Sequence, residues 1–412
     1  MALFNEAEAR ERLLNLPMEE NNLRDLKQIS RGTDKYFTKS RKVAERVEEG
    51  KKSVVSEWAT FIRQPVIFAP AIATAWLNQA CKMSGVKAEL DLLYHEGDMV
   101  GAGDPMFILR GSFPQNVEFE THYLQKIGKP CVAAYNAFKM ASSMPNTAFL
   151  DMAARHNSGP QETEMMSYAA SVGSLAAQQR NAAKGFIGSS TDIGAKYFDQ
   201  LEGKGTMPHA LIGYFADTVE AAKEYHSTFP DEPLTVLCDF EGLEVTKTLA
   251  LGKEFPELMD KGLLSVRIDT NGARYLEGLD PQKSYEVLEK HVPDVIRGDL
   301  TDSQRETLIG KGVSAAAIWY LRDQLNQAGM QKLNIVPSSG FGVEKCKTMA
   351  MAGIDTLGLV VGTGSYLPED VRKTYATSDI ISYDGQPKIK EGRGYLIDLA
   401  KKREPVMTLE LG

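Results

Sequence analysis

Cysteine is scarce. Cys81, Cys131, Cys238 and Cys346 are the four in 412 residues. No two share a C-x-x-C spacing, which argues against a local zinc knot and against a disulfide framework. Positive charge is in deficit as well: 47 Lys and Arg stand against 55 Asp and Glu, a formal net charge of -8. A dedicated nucleic-acid binder would carry a basic surplus, so that class is set aside. An anionic substrate is not, because a local site of arginine, histidine and backbone N–H groups binds phosphate on an acidic protein. The longest apolar stretches, Pro65–Leu77 and Ala315–Leu321, fall short of the roughly 18 residues of a membrane span. The first residues, MALFNEAEARERLL, lack the apolar core of a signal peptide. A reduced, cytoplasmic, non-membrane protein is the expectation. There is no P-loop, no repeat of 20–50 residues and no low-complexity segment.

What is present is ordinary globular material, 43% hydrophobic and 25% charged, with length for two or three domains. Residues 1–60 are rich in Glu, Lys and Arg, and predict helices over Glu6–Leu16 and Ser40–Glu49. Gln64–Ser84 reads as an apolar helix. The segment AELDLLYHEGDMVGAGDPMFILRGSF then reads as short strands joined by glycine turns. This resembles the hammerhead of lipoyl and biotinyl domains, but no lysine stands at the turn tip, so the hairpin is structural. Glu118–Ile127 and Cys131–Ser143 look helical.

Beyond them, apolar runs alternate with amphipathic ones. Strands are predicted at Thr147–Met152, Gly185–Ser189, Gly205–Pro208, Leu234–Phe240, Leu264–Asp269, Leu333–Pro337 and Thr356–Val361. Helices are predicted at Glu162–Ala183, Thr218–Ser227, Glu244–Glu254, Thr301–Ala328 and Val343–Ala352. Strands that are apolar throughout and separated by helices imply a parallel sheet covered by helices. Seven units fall one short of the usual barrel, and an open doubly wound sheet fits this pattern too.

Chemistry in such folds gathers at the C-terminal strand ends. Those positions hold Arg155-His156, Ser189-Ser190, Met207-Pro208-His209, Cys238-Asp239-Phe240-Glu241, Arg267-Ile268-Asp269-Thr270-Asn271, Ser338-Ser339-Gly340-Phe341-Gly342 and Gly362-Thr363-Gly364-Ser365. The last two are glycine-containing turns of the type that lets backbone N–H groups approach a phosphate. Asp239 and Asp269 could bind ribose hydroxyls or Mg²⁺, or could cap a helix or pair with Arg267 or Arg274. Arg155 and His156 bring positive charge to the mouth. His95, His122, His226 and His291 have no comparable context and read as structural.

GTMPHALI (Gly205–Ile212), the RIDT strand end, SSGF, the GTGS close, DMAARH (Asp151–His156), DKYF (Asp34–Phe37) and the hairpin EGDMVGAGDP together resemble nicotinate phosphoribosyltransferases. The resemblance implies an irregular seven-stranded α/β barrel with an N-terminal α/β cap domain. Residues 1–130 would form the cap, 131–366 the barrel, and 367–412 a tail packing back on the cap. It implies transfer of phosphoribosyl from phosphoribosyl pyrophosphate to nicotinate, with Mg²⁺, ATP as co-substrate, and a homodimer or higher oligomer. Ser339, Gly340, Gly362 and Thr363 would hold the 5′-phosphate, with Ser338, Gly364 and Thr270 completing the substrate-binding set. Asp239 and Asp269 would contact ribose or Mg²⁺, and Arg155 and His156 the pyrophosphate or the nicotinate carboxylate. Tyr36 would stack on the pyridine ring from a neighbouring subunit. His209 matches the histidine phosphorylated by ATP, with Glu241 or Asp269 to orient it, or it hydrogen-bonds a phosphate unphosphorylated. No metal ligand set is assigned. Nicotinamide and quinolinate are the alternative acceptors, the second disfavoured by a thin basic set. A non-catalytic nucleotide-binding homologue is the alternative of another class.

Overall fold

The computed structural model describes residues 2–364, 367 and 375–412. Two compact units emerge. The first comprises Met1–Phe138, Asn157–Gln179 and Leu367–Gly412, the second Lys139–His156 and Arg180–Tyr366. Residues 157–179, placed with the barrel by the sequence pattern, thus group with the first unit. Among the described residues, no helix is long and apolar enough to cross a membrane.

The first unit is built on a six-stranded antiparallel sheet. Its order is Gln386–Pro387, Thr377–Tyr383, Val55–Phe61, Pro105–Ser112, Ala88–Leu92, Met407–Leu411. Three of the six strands come from the last 36 residues of the chain, two of them pairing with strands from its first quarter. The predicted helix at Gln64–Ser84 starts later, at Ala71–Ser84. Pro65 and Pro70 keep the preceding residues extended, and Val66–Ile67 pairs with Met99–Val100 of the glycine-rich hairpin. The two helices predicted around Pro130 are one, Phe113–Ser143. A proline inside a helix costs about 3 kcal/mol. Here Tyr123, Ile127, Cys131 and Ala134 are fully buried along it, and that packing outweighs the lost N–H.

The second unit holds six parallel strands: β1 (Ala148–Asp151), β2 (Gly185–Ser189), β3 (Leu234–Leu237), β4 (Leu264–Ile268), β5 (Asn334–Pro337) and β6 (Val360–Thr363). They form two three-stranded sheets, in the orders β6-β1-β2 and β5-β4-β3. No closed barrel is present among the described residues, which corrects the seven-stranded expectation. The predicted third strand, Gly205–Pro208, is irregular. Gly203, Gly205 and Pro208 deny it a β-branched run and one N–H. It still spans the gap: Lys204 N donates to Ser189 O at the end of β2 (2.8 Å), and Met207 N to Thr235 O of β3 (3.4 Å).

Two further boundaries move for local reasons. The predicted helix Thr301–Ala328 is broken into Asp302–Ile309 and Ala315–Gln327. Gly310 and Gly312, the latter at φ +73°, end the first piece, and Ser314 caps the second by accepting from Ala317 N. Residues Ile354–Leu357 form a short 3-10 turn between left-handed Gly353 and Gly358, so β6 starts at Val360. Gly362 and Thr363 therefore lie inside the strand, opposite Leu150 and Asp151, and not in a turn after it.

Candidate active site

A cavity of about 550 Å³ opens at the C-terminal ends of these strands, lined wholly by the second unit. One wall is the segment after β5. Ser338 N donates to Ile268 O (2.9 Å), and Ser339 and Gly340 follow at φ +77° and +69°. This pair of left-handed residues turns the chain sharply into the helix Val343–Met351. Among the described residues, the N–H groups of Ser339, Gly340, Phe341 and Gly342 have no protein acceptor, the condition for an anion-binding turn. Thr363 Oγ1 donates to Phe341 O (2.5 Å) and fastens this turn to β6. Its hydroxyl is thereby used, although Thr363 lines the cavity with Gly362 and Gly364. Ser365 lies outside the described residues.

The facing walls carry cations. Arg155 and His156 sit on the 3-10 turn Ala154–His156 after β1, both exposed, and Lys204 stands on the irregular segment. All three line the cavity, and none of the three has a carboxylate partner among the described residues. Arg267 differs. It is two residues before Asp269 on β4, hence on the same face. Its guanidinium is held on three sides, donating to Ser338 Oγ, Thr206 Oγ1 and Asp269 Oδ2, each at 3.0 Å. Asp269 lines the cavity as expected, but as the partner of Arg267.

His209 is the first residue of the helix His209–Phe215, and not a strand-end residue, because the segment before it is not a strand. Its Nε2 lies 3.1 Å from Asp239 Oδ2 and 3.2 Å from Oδ1. A carboxylate only accepts, so Nε2–H is the donor in this contact. Asp239 is buried beside His209 and is not among the residues that line the cavity. The orienting groups expected from sequence are engaged elsewhere. Glu241 accepts from Thr218 Oγ1 (2.6 Å) and pairs with Lys247 (2.7 Å). Against burial, which would raise it, those partners hold its carboxyl below the usual range.

Two expected binding residues are not in the cavity. Thr270 is fully buried and donates to Glu244 Oε1 (2.8 Å). It follows Asp269 directly, and alternation along the chain turns it inward. Glu244 also accepts from Arg274 (2.5 Å), so Thr270 belongs to a polar core. Tyr36 lies in the first unit, on the helix Lys35–Glu48, 62% exposed and 4.2 Å from the Phe37 ring centroid. Two cavity residues were missed as ligands by the sequence reading, Lys204 and Arg267. The signals were there: Lys204 immediately precedes GTMPH, and Arg267 shares a strand face with Asp269.

No family model matches the sequence, and no curated relative does either. Solved structures do match. The nicotinate-nucleotide pyrophosphorylase of Pyrococcus furiosus superimposes with a TM-score of 0.65 at 18% identity, over 91% of this chain and 81% of that one. Human nicotinic acid phosphoribosyltransferase gives 0.54 at 16%, over 87% and 76%. The nicotinate-nucleotide pyrophosphorylase of Ehrlichia chaffeensis gives 0.51 at 10%, over 84% and 97%. The chain shares the fold of these enzymes. One unit carries the antiparallel sheet, the other the parallel strands and the cavity.

Proposed function

We propose that the protein transfers phosphoribosyl from phosphoribosyl pyrophosphate to a pyridine carboxylate, forming nicotinate nucleotide and pyrophosphate. One observation carries this reading: a single cavity is lined both by Ser339 and Gly340, whose N–H groups have no protein acceptor among the described residues, and by Arg155, His156 and Lys204, which have no carboxylate partner there. Two kinds of anion-binding group in one cavity suit a donor that carries both a phosphate and a pyrophosphate. In the reaction, the bond from the anomeric carbon to the pyrophosphate oxygen breaks and the bond to the ring nitrogen forms. The transition state has oxocarbenium character, so the gain comes from alignment and from stabilising the leaving pyrophosphate. No protein nucleophile is required. Among the described residues no cluster of three His, Cys, Asp or Glu side chains could hold a metal ion, and Asp239 and Asp269 are both engaged. Mg²⁺ is accordingly proposed to arrive as part of the substrate, on the pyrophosphate oxygens.

Nicotinate is the acceptor the motifs point to. Quinolinate has a specific observation in its favour. With Lys204 and Arg267 added to Arg155, His156 and His209, the cavity lining holds five basic side chains, more than the sequence suggested, and a second carboxylate needs a second cation. ATP coupling is proposed through His209, whose Nδ1 would accept the phosphoryl group. Tyr36 is proposed as the ring-stacking residue, supplied by a second copy of the chain.

The test is incubation with phosphoribosyl pyrophosphate, Mg²⁺ and nicotinate, quinolinate or nicotinamide in separate reactions. Mass spectrometry of the nucleotide, with trapping of carbon dioxide in the quinolinate arm, reads the result. Nicotinate nucleotide without carbon dioxide supports nicotinate, and equimolar carbon dioxide supports quinolinate. Absence of nucleotide in all three arms would refute the proposal.

A further inference from the structure

Lys345 stands in the first turn of the helix Val343–Met351, outside the lining of the cavity. Its Nζ donates to Ser339 O at 2.8 Å and sits 4.6 Å from the centroid of the Phe341 ring. Both partners belong to the turn whose N–H groups face the cavity. Burial pulls its amine down to about 8, against the attraction of Asp269.

Ser339 is a backbone anomaly. At φ +77° it occupies the left-handed region, which is strained for a residue with a Cβ. Glycine would adopt it freely, yet serine stands there. Something must hold the peptide. Ser339 O turns away from the cavity in accepting from Lys345, and that fixes the peptide plane that carries the next N–H, that of Gly340. Thr363 does the same at Phe341 O (2.5 Å). Two side-chain donors thus grip two carbonyls of the turn, Lys345 from outside the cavity lining and Thr363 from within it.

We infer that Lys345 is a positioning residue: by holding Ser339 O it locks the left-handed turn that presents the N–H groups of Ser339 and Gly340 to a phosphate group of the substrate. It acts through the turn and does not touch the ligand. The identity of that ligand rests on the phosphoribosyl transfer proposed above, whereas the geometry requires only a phosphate.

The experiment compares the full-length protein with Lys345→Met, Lys345→Arg and the double variant Ser339→Gly/Lys345→Met. Binding of phosphoribosyl pyrophosphate and of inorganic phosphate is measured by calorimetry, and steady-state kinetics follow with both substrates varied. Losing a charge-assisted hydrogen bond to the turn should weaken both ligands about tenfold in Lys345→Met. The KM for phosphoribosyl pyrophosphate should rise by the same factor, with kcat and the acceptor KM within about twofold. Lys345→Arg, which still donates, should stay within about threefold of the parent. The double variant should regain most of the loss, because glycine holds φ +77° without help. A cation acting directly on phosphate would not be rescued that way, so no recovery in the double variant overturns the inference. Parent-like binding by Lys345→Met overturns it too. Should Lys345→Met fail to fold, recovery of folding in the double variant supports the inference, and failure of both overturns it. If the parent binds inorganic phosphate and not phosphoribosyl pyrophosphate, the phosphoribosyl proposal falls alone and Lys345 is judged on phosphate. If it binds neither, both fall.

Discussion

Arg267 is the cation whose replacement should cost most, because each of its three guanidinium nitrogens donates to a side chain. Arg267→Leu removes three hydrogen bonds, to Ser338, Thr206 and Asp269, each at 3.0 Å. It also leaves the carboxylate of Asp269 without its cation. Breaking a fully buried ion pair costs about 3–5 kcal/mol. Here the two side chains are 15% and 18% exposed, so water recovers part of that, and about 2–3 kcal/mol is expected. For a unit of this size that corresponds to roughly 5–10 °C in the melting midpoint. Function should suffer separately. Ser338 and Thr206 line the cavity on either side of Arg267, so the loss unties two walls at once. Arg267→Lys keeps the charge but replaces a planar fork with a point donor, and should recover less than half of the stability. Chemical denaturation gives the first number, and titration with phosphoribosyl pyrophosphate the second. A leucine variant that melts within 1 °C of the parent, or that retains parent affinity, would show that the clamp is incidental and that the reasoning fails.

Gly364→Ala should weaken phosphoribosyl pyrophosphate at least tenfold in calorimetry, because a Cβ there meets the Met152 carbonyl oxygen at 2.6 Å and His156 Cδ2 at 3.1 Å, and backbone has to move. His209→Asn should abolish ATP hydrolysis while leaving a slower, ATP-independent transfer, read by separate assays of phosphate and nucleotide. Glu120, in the first unit, is pushed up to about 8 by burial and by the charges of Asp379 and Asp34. The folded state therefore keeps its proton while the unfolded chain loses one above about 4.3. Stability should fall as pH rises between these values and level off above about 8. Glu120→Gln should flatten that slope by several kcal/mol, seen as parallel melting curves at pH 5 and pH 8.5.

The parallel strands were legible because each is an apolar run bounded by turn residues: Leu234–Leu237 and Leu264–Ile268 differ from expectation by only a few terminal residues. The helix Glu244–Glu254 matches to the residue. What misled was local composition overridden by context. Gly205–Pro208 was expected as a strand from the alternation of apolar and amphipathic runs, and the hydrogen bonds of Lys204 and Met207 to neighbouring strands tie the segment down without making it regular. Pro130 looked like a helix end, and burial on both sides carries the helix through. The strands Val55–Phe61 and Met407–Leu411 escaped notice for another reason. They pair with sequence-distant partners, Thr377–Tyr383 and Ala88–Leu92, and nothing in a short alternating run announces its partner. At the site, residue types at strand ends found most of the cavity lining. They could not separate a residue that faces the cavity from one that supports it. Thr270 follows the cavity residue Asp269 and Asp239 stands two residues after the cavity residue Leu237, and both are buried.

That separation bears on how the basic lining of the cavity is used. Its cations divide into one that is locked and three that are free. Arg267 is spent on Thr206, Ser338 and Asp269, so its charge reaches a ligand as a fixed field with no side-chain freedom left to lose. Arg155, His156 and Lys204 are exposed and lack carboxylate partners among the described residues. They must surrender rotamer freedom on binding, and they can close on a group that changes charge during the reaction. A leaving pyrophosphate is such a group, whereas a 5′-phosphate is carried through unchanged. The rigid turn of residues 338–342 suits the constant end of the donor, and the adaptable cations suit the end where negative charge develops.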